Sequence, residues 1–230
     1  WSKFWDGTAG NEPKQAGTTG FPSGDLFFSP YYNSAQPGKV ADPVTKALLP
    51  GVLIGDYNRD GVTSGGENTL FYTTAQALQL LNASDKTKQD MRYVLGRDLV
   101  ASWLNFLAGN PIDMKNPPNG MDTRAQINEA IDWLQAVTPD QNGDRKGDGY
   151  LAGMDATLGR TPAKPASAVV VSNSVPWQKG ILNASALPAP YTTNTAVNFP
   201  INSGNSIHTA LDLYNNFGTG ADGAFPAPIV

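Results

Sequence analysis

The stretch "DKTKQDMRYVLGRDLVASWLNFLAG", residues 85–109, decides the fold class. Met91, Val94, Leu95, Leu99, Trp103 and Phe106 recur at helical spacing. Ser84 stands where an N-cap belongs, and Gly109 stops the pattern. The helix read here covers 85–108 and, at about 1.5 Å per residue, spans roughly 35 Å, the width of a small domain. Such a helix needs partners, and the flanking sequence supplies them. "ENTLFYTTAQALQLL" predicts a helix over 69–81, with Leu70, Thr74, Ala77, Leu78 and Leu81 on one face. "TRAQINEAIDWLQAV" predicts another over 124–137, with Ile127, Ile131 and Leu134 inward. "GNSIHTALDLYNNFG" predicts a last one over 204–217, with Ile207, Ala210, Leu211 and Tyr214 together. The one β-like run is "SAVVVSN", 167–173. The fold class is therefore mainly α: an irregular helical domain with long Pro/Gly-rich arms, acid-rich loops and little β.

A chain of 230 residues is long enough to bury a real core. Its 24 Gly and 18 Pro, set against only 16% charged residues, predict a folded protein with long irregular connections. We read one domain over 1–230. An extended, aromatic arm fills 1–50, the first acid-rich loop and core helices fill 51–137, and 138–230 holds a second acid-rich loop, a Pro-rich segment, the last helix and a tail.

The formal charge is −4 and no basic run occurs, so nucleic-acid binding by phosphate neutralisation is not expected. No apolar stretch reaches the roughly 18 residues a membrane span needs. With no Cys, disulfides and thiolate metal sites are excluded. The chain opens at Trp1 instead of Met, which predicts that a preceding segment has been removed.

Two loops carry the chemistry. In "GDYNRDGVTSGGENTLF", 55–71, oxygen-bearing side chains alternate along a glycine-rich curl. Asp56, Asn58 and Asp60 occupy positions 1, 3 and 5, and Gly61 takes the sharp turn at 6. Val62 offers its carbonyl at 7, Ser64 stands at 9, where a water often mediates, and Glu67 at 12 can bind bidentately. Calcium takes 6–8 hard oxygens, and these positions of a curled loop point at one centre. Acids packed so closely repel one another without a cation. We therefore expect Ca2+ as the cofactor, with an ordinary glycine-rich turn as the competing reading. The loop resembles an EF-hand-type, dockerin-like loop with a non-helical entry, and the resemblance implies a helix leaving it near Glu67.

The second loop, "DQNGDRKGDGY", keeps the alternation with Asp140, Asn142, Asp144 and Asp148, and Lys146 stands at the carbonyl position. Arg145 replaces the Gly at position 6, and Leu151 stands where the bidentate acid belongs. It resembles the loops of thrombospondin type 3 repeats, and Asp155 could close its shell from outside. The competing reading is a solvated turn capping the preceding helix.

Outside the loops the chemistry is sparse. His208 is the only histidine, so no triad or paired-histidine metal site can be built. It reads as a surface or half-buried side chain. Glu129 and Asp132 read as solvent-facing. Trp103 and Trp133 read as core, while Trp1, Trp5 and Trp177 lie in irregular segments and keep a glycan-binding alternative open. A carboxylate-dependent hydrolase is a further alternative, because Asp is plentiful.

"LGRDLVASWLNFLAGN" (95–110), "INEAIDWLQ" (127–135) and "IHTALDLYNNFG" (207–218) together resemble an uncharacterised helical module of bacterial secreted and cell-surface proteins. That module opens on an aromatic pair, here "FWDG", and Asp98 stands where it usually has Gln. The resemblance spans most of the chain. It implies an extracellular or cell-surface location and a non-catalytic role, and it transfers no catalytic residue. Expected partners are further copies of the chain or another surface protein, with a glycan as the alternative.

Overall fold

The computed structural model describes residues 40–41, 48–49, 51–58, 61, 63, 66–82, 90–107, 112–113, 122–149, 151 and 169–217. Expectations for the arm at 1–39, for Ser84, Gly109 and Asp155, and for the tail beyond 217 lie outside these residues.

The described chain runs through β1 (Val40–Ala41), β2 (Leu48–Leu49), β3 (Gly51–Ile54), β4 (Leu70–Thr73), α1 (Thr74–Leu81), α2 (Met91–Leu107), α3 (Thr123–Ala136), α4 (Val175–Gln178), a 3-10 turn (Ala184–Ala186) and α5 (Gly204–Phe217). The fold is mainly α. β1 pairs with β2, and β3 with β4, each antiparallel.

The β3–β4 pair corrects the sequence reading. Residues 70–73, expected to begin a helix at 69, form a strand in which Leu70 faces Ile54 and Thr73 faces Gly51. "GVLI" and "LFYT" are buried along their whole length. Continuous apolar runs rich in β-branched and aromatic residues suit a strand covered on both faces. The helix begins only where a capping box allows it. Thr73 Oγ1 accepts from the Gln76 amide at 3.3 Å, and Gln76 Oε1 accepts from the Thr73 amide at 3.0 Å. The buried face shifts accordingly to Ala77 and Leu80, while Leu78 and Leu81 are half-buried.

α2 is the central element. It packs against α1, α3 and α5 and is buried on most sides, including Val94, Leu95, Leu99, Val100, Trp103 and Leu104. Leu80 of α1 approaches so closely at Gly96 that a Cβ there would sit 3.0 Å from Leu80 Cδ2. α3 starts at Asp122, whose carboxylate accepts from the Ala125 amide at 2.7 Å. Its expected inward residues Ile127, Ile131 and Leu134 are fully buried. α5 presents Ile207, Leu211 and Tyr214 to the core.

The described part of the run expected to be β, 169–173, is not a strand. The Val170 carbonyl accepts from the Met91 amide at 2.8 Å, so it serves the first turn of α2 instead of a ladder. A buried ion pair lies at the same end. Arg92 Nε donates to Asp90 Oδ1 at 2.9 Å, and Arg92 Nη1 donates to the Val137 carbonyl at 3.0 Å and to the Tyr191 hydroxyl at 2.5 Å.

Candidate metal centre

The first loop joins β3 to β4. The helix expected near Glu67 is replaced by a strand from Leu70, so the loop is the tip of a hairpin. Its described positions are Asp56, Asn58, Gly61 and Glu67; Asp60, Val62 and Ser64 lie outside the described residues. Gly55 and Gly61 take left-handed conformations, φ 93° and 78°. The Gly61 amide donates to Asp56 Oδ2 at 2.9 Å, and Asp56 is fully buried. The loop is anchored by Tyr57, which stands between the ligand positions Asp56 and Asn58. Its ring packs edge-on against Trp103 at 5.3 Å between centroids. Its hydroxyl donates to Asn128 Oδ1 at 2.8 Å, and the Arg124 guanidinium lies 4.1 Å over its face. Burial pushes this phenol well above its ordinary pKa, with Arg124 partly opposing.

The second loop follows α3 and reproduces the first loop's main feature. The residue at position 6, here Arg145, has φ 66°. Its amide donates to Asp140 Oδ2 at 2.9 Å, five residues back, as Gly61 does to Asp56. The Gly143 amide donates to Asp140 Oδ1 at 2.7 Å, the Asp144 amide to Asn142 Oδ1 at 2.9 Å, and the Lys146 amide to Asp144 Oδ1 at 2.8 Å. The Gln141 amide donates to Asp148 Oδ2 at 2.7 Å. Asn142 Nδ2 reaches both Asp144 Oδ2 at 3.2 Å and Asp148 Oδ1 at 3.3 Å, so those two carboxylates converge on one point.

This loop is also tied to the end of α3. The Gly147 amide donates to the Gln135 carbonyl at 2.8 Å, and a Cβ on Gly147 would lie 2.4 Å from the Thr138 carbonyl. Asn194 Nδ2 donates to the Gln135 and Thr138 carbonyls, both at 2.8 Å. The last carbonyls of α3 thus find donors, which is the helix-capping alternative raised by the sequence.

The loops meet along α3. Lys146 Nζ donates to Asn68 Oδ1 at 3.2 Å, and Asn68 Nδ2 donates to Asp132 Oδ1 at 2.9 Å. Asp132 also accepts from the Asn198 amide at 3.3 Å and from Asn198 Nδ2 at 3.1 Å. Expected at the surface, Asp132 is 8% exposed. Burial pushes its carboxyl up to about 6, against the opposing pull of Asn198, Lys146 and Asn68. Glu129, also expected to face solvent, is half-buried and accepts from the amide of Asn202 at 2.6 Å. Their i, i+3 spacing put both on one helix face; what the spacing hid is that the segment 194–202 lies over that face.

The donor set suits a hard cation only in part. In both loops the residue at position 6 is left-handed and its amide meets the carboxylate at position 1. Among the described residues, however, no group of three or more His, Asp or Glu gathers closely enough to hold a metal ion. Asp144 and Asp148 converge, while Asp140 turns its oxygens to the loop's own amides.

The remaining candidates resolve simply. Trp103 and Trp133 are fully buried. Trp177 is 4% exposed, packs edge-on against Trp133 at 5.8 Å and is lost to any glycan surface; Trp1 and Trp5 lie outside the described residues. Its burial follows from Gly204, where a Cβ would sit 2.5 Å from the Trp177 ring. His208 is half-buried as read, but its Nδ1 meets Asp98 Oδ2, a partner that lies 110 residues away in sequence.

The chain matches no protein-family model, no curated protein and no solved structure. Among the described residues no helix is long and apolar enough to cross a membrane.

Proposed function

We propose that the chain is a non-enzymatic, calcium-stabilised structural or adhesive module of the cell exterior, assembling with further copies of itself or with another surface protein. The observation that carries this reading is the repeated loop geometry. In two acid-rich loops far apart in sequence, a left-handed residue at position 6 gives its amide to the carboxylate at position 1. In calcium loops a turn of this kind lets alternate side chains converge on a cation. The assembly half of the reading rests on the aromatic and Pro-rich character of both terminal arms.

Thermal melting with and without chelator tests it. Extracellular calcium loops bind at roughly 0.1–1 mM. Calcium at about ten times the dissociation constant stabilises by about 1.4 kcal/mol per loop. For a chain of this size that is a shift of about 3–6 °C per loop. Glu67→Ala should remove the first loop's share. An unchanged melt on chelation rejects the reading. Sedimentation at high concentration in calcium tests assembly, and a compact monomer there counts against it.

A further inference from the structure

We propose that His208 is an acyl-acceptor site, an imidazole whose Nε2 is held ready to take an acyl group from an activated donor such as an anhydride or a thioester. The inference goes beyond the structural reading above and does not depend on calcium. His208 is the only histidine of the chain. Its Nδ1 meets Asp98 Oδ2, and the other oxygen of that carboxylate, Oδ1, accepts from Arg97 Nε at 3.0 Å. The Asp98 side chain is 5% exposed and the His208 side chain 26%. A carboxylate only accepts, so the pair puts the ring proton on Nδ1 and leaves a lone pair on Nε2. Among the described residues Nε2 has no hydrogen-bond partner.

The ring is fixed from more than one side. Asn215 lies about two turns further along α5. Its Nδ2 donates to the Asp98 carbonyl at 3.0 Å, and its Oδ1 accepts from Ser102 Oγ and Asn105 Nδ2, both at 3.0 Å. These bonds set the register of α5 on α2, and so the place of His208 opposite Asp98. Trp177 of α4 lies against the imidazole, 5.9 Å between centroids and tilted by 30°. An imidazole carried on one helix and oriented by a buried carboxylate on another gives up little freedom in reaching a reactive geometry. Asp98 already has Arg97 as its counter-ion, so the contact with His208 is not needed to neutralise it.

The step balances with no further reactant. The Nε2 lone pair attacks the acyl carbon, the bond from that carbon to the leaving group breaks, and the leaving group departs with the bonding pair. The proton on Nδ1 stays between the ring and Asp98. The ring turns positive as the leaving group turns negative, and Asp98 faces that positive charge. A phosphoryl group would instead bring negative charge to a ring that already faces a carboxylate, so a neutral acyl group is the better fit. No hydroxyl among the described residues bonds to Nε2, so the ring is itself the nucleophile and not the base for a serine.

Diethyl pyrocarbonate, an acyl donor of this class, tests the proposal on the full chain, with the product located by mass spectrometry. At about pH 8 free histidine is neutral, so protonation does not enter the comparison. There His208 should be acylated about tenfold faster than N-acetylhistidine amide, the lower end of what a carboxylate behind an imidazole supplies. A rate at or below that of the free compound overturns the proposal. Nitrogen NMR of the ring, unambiguous with a single histidine, should place the proton on Nδ1, and a proton on Nε2 also overturns it. Asp98→Asn, with an unchanged circular dichroism spectrum, should lose the rate advantage; an undiminished rate in that folded variant refutes the positioning role of Asp98. Should Asp98→Asn fail to fold, the wild-type rate and the ring spectrum decide between the outcomes.

Discussion

Asp132 accepts hydrogen bonds from both nitrogens of Asn198, the main-chain amide at 3.3 Å and Nδ2 at 3.1 Å. Even so, burial outweighs these donors, and the carboxyl is pushed up to about 6. The folded state therefore holds this proton more tightly than the unfolded chain does. The stability it contributes is fully present below about pH 4, the unfolded range of Asp, and is lost as pH rises through about 6. Between pH 7 and pH 5 the wild type should gain about 1.3 kcal/mol relative to Asp132→Asn. Paired thermal melts at the two pH values measure this as a relative shift of about 3–5 °C. A flat difference, or one of opposite sign, rejects the assignment.

Arg145 occupies a left-handed conformation, φ 66°, that strains any residue with a Cβ. Its hydrogen bonds to Asp140 and Ala196 both use its main chain. Arg145→Gly should keep them and relieve the strain, offset in part by the extra freedom of glycine when unfolded. The net expectation is a gain of about 0.5–1 kcal/mol, read in chemical denaturation against Arg145→Ala, which should show no gain. Equal midpoints for the two variants refute the strain argument.

Arg92 and Asp90 are buried together, with side chains 5% and 6% exposed. Arg92→Met leaves the carboxylate uncompensated and should cost about 3–5 kcal/mol. Adding Asp90→Asn should recover part of the loss, because the orphaned charge is then gone. Denaturation midpoints of the single and double variants measure the cycle. A single variant within about 1 kcal/mol of wild type would contradict the burial argument.

The helices were legible because their apolar spacing is their packing. The period of Ile127, Ile131 and Leu134 predicts that they face inward, and all three are fully buried. The hairpin was not legible for the same reason. "LFYT" runs straight into a helical pattern, and a four-residue strand covered on both faces shows no alternation to separate it. Only the Thr73–Gln76 pair marks the boundary, and its capping spacing was present in the sequence. The loops announced themselves through alternating oxygen donors. What surrounds them did not. Tyr57 reads as filler between two ligand positions until Trp103 and Arg124 are seen around it. Asp132 reads as a surface acid until Asn198, 66 residues later, is laid over it. His208 and Asp98 find each other across 110 residues. Long-range polar partners leave no period, so spacing cannot reveal them.

Ile54 and Leu70 face each other on the last rung of the β3–β4 ladder. Just beyond them the neck is narrow, since a Cβ on Gly55 would lie 2.2 Å from the Asn68 carbonyl. The first loop thus leaves the β3–β4 ladder and returns to it at one rung, with Asp56 and Tyr57 held against the body beside that rung. Doubling such a loop adds only about 0.6 kcal/mol of closure entropy. With glycine kept at the threshold and an aromatic residue to play the part of Tyr57, this position is a graft point. A segment of different length or charge can be installed here while the helices beneath keep their places.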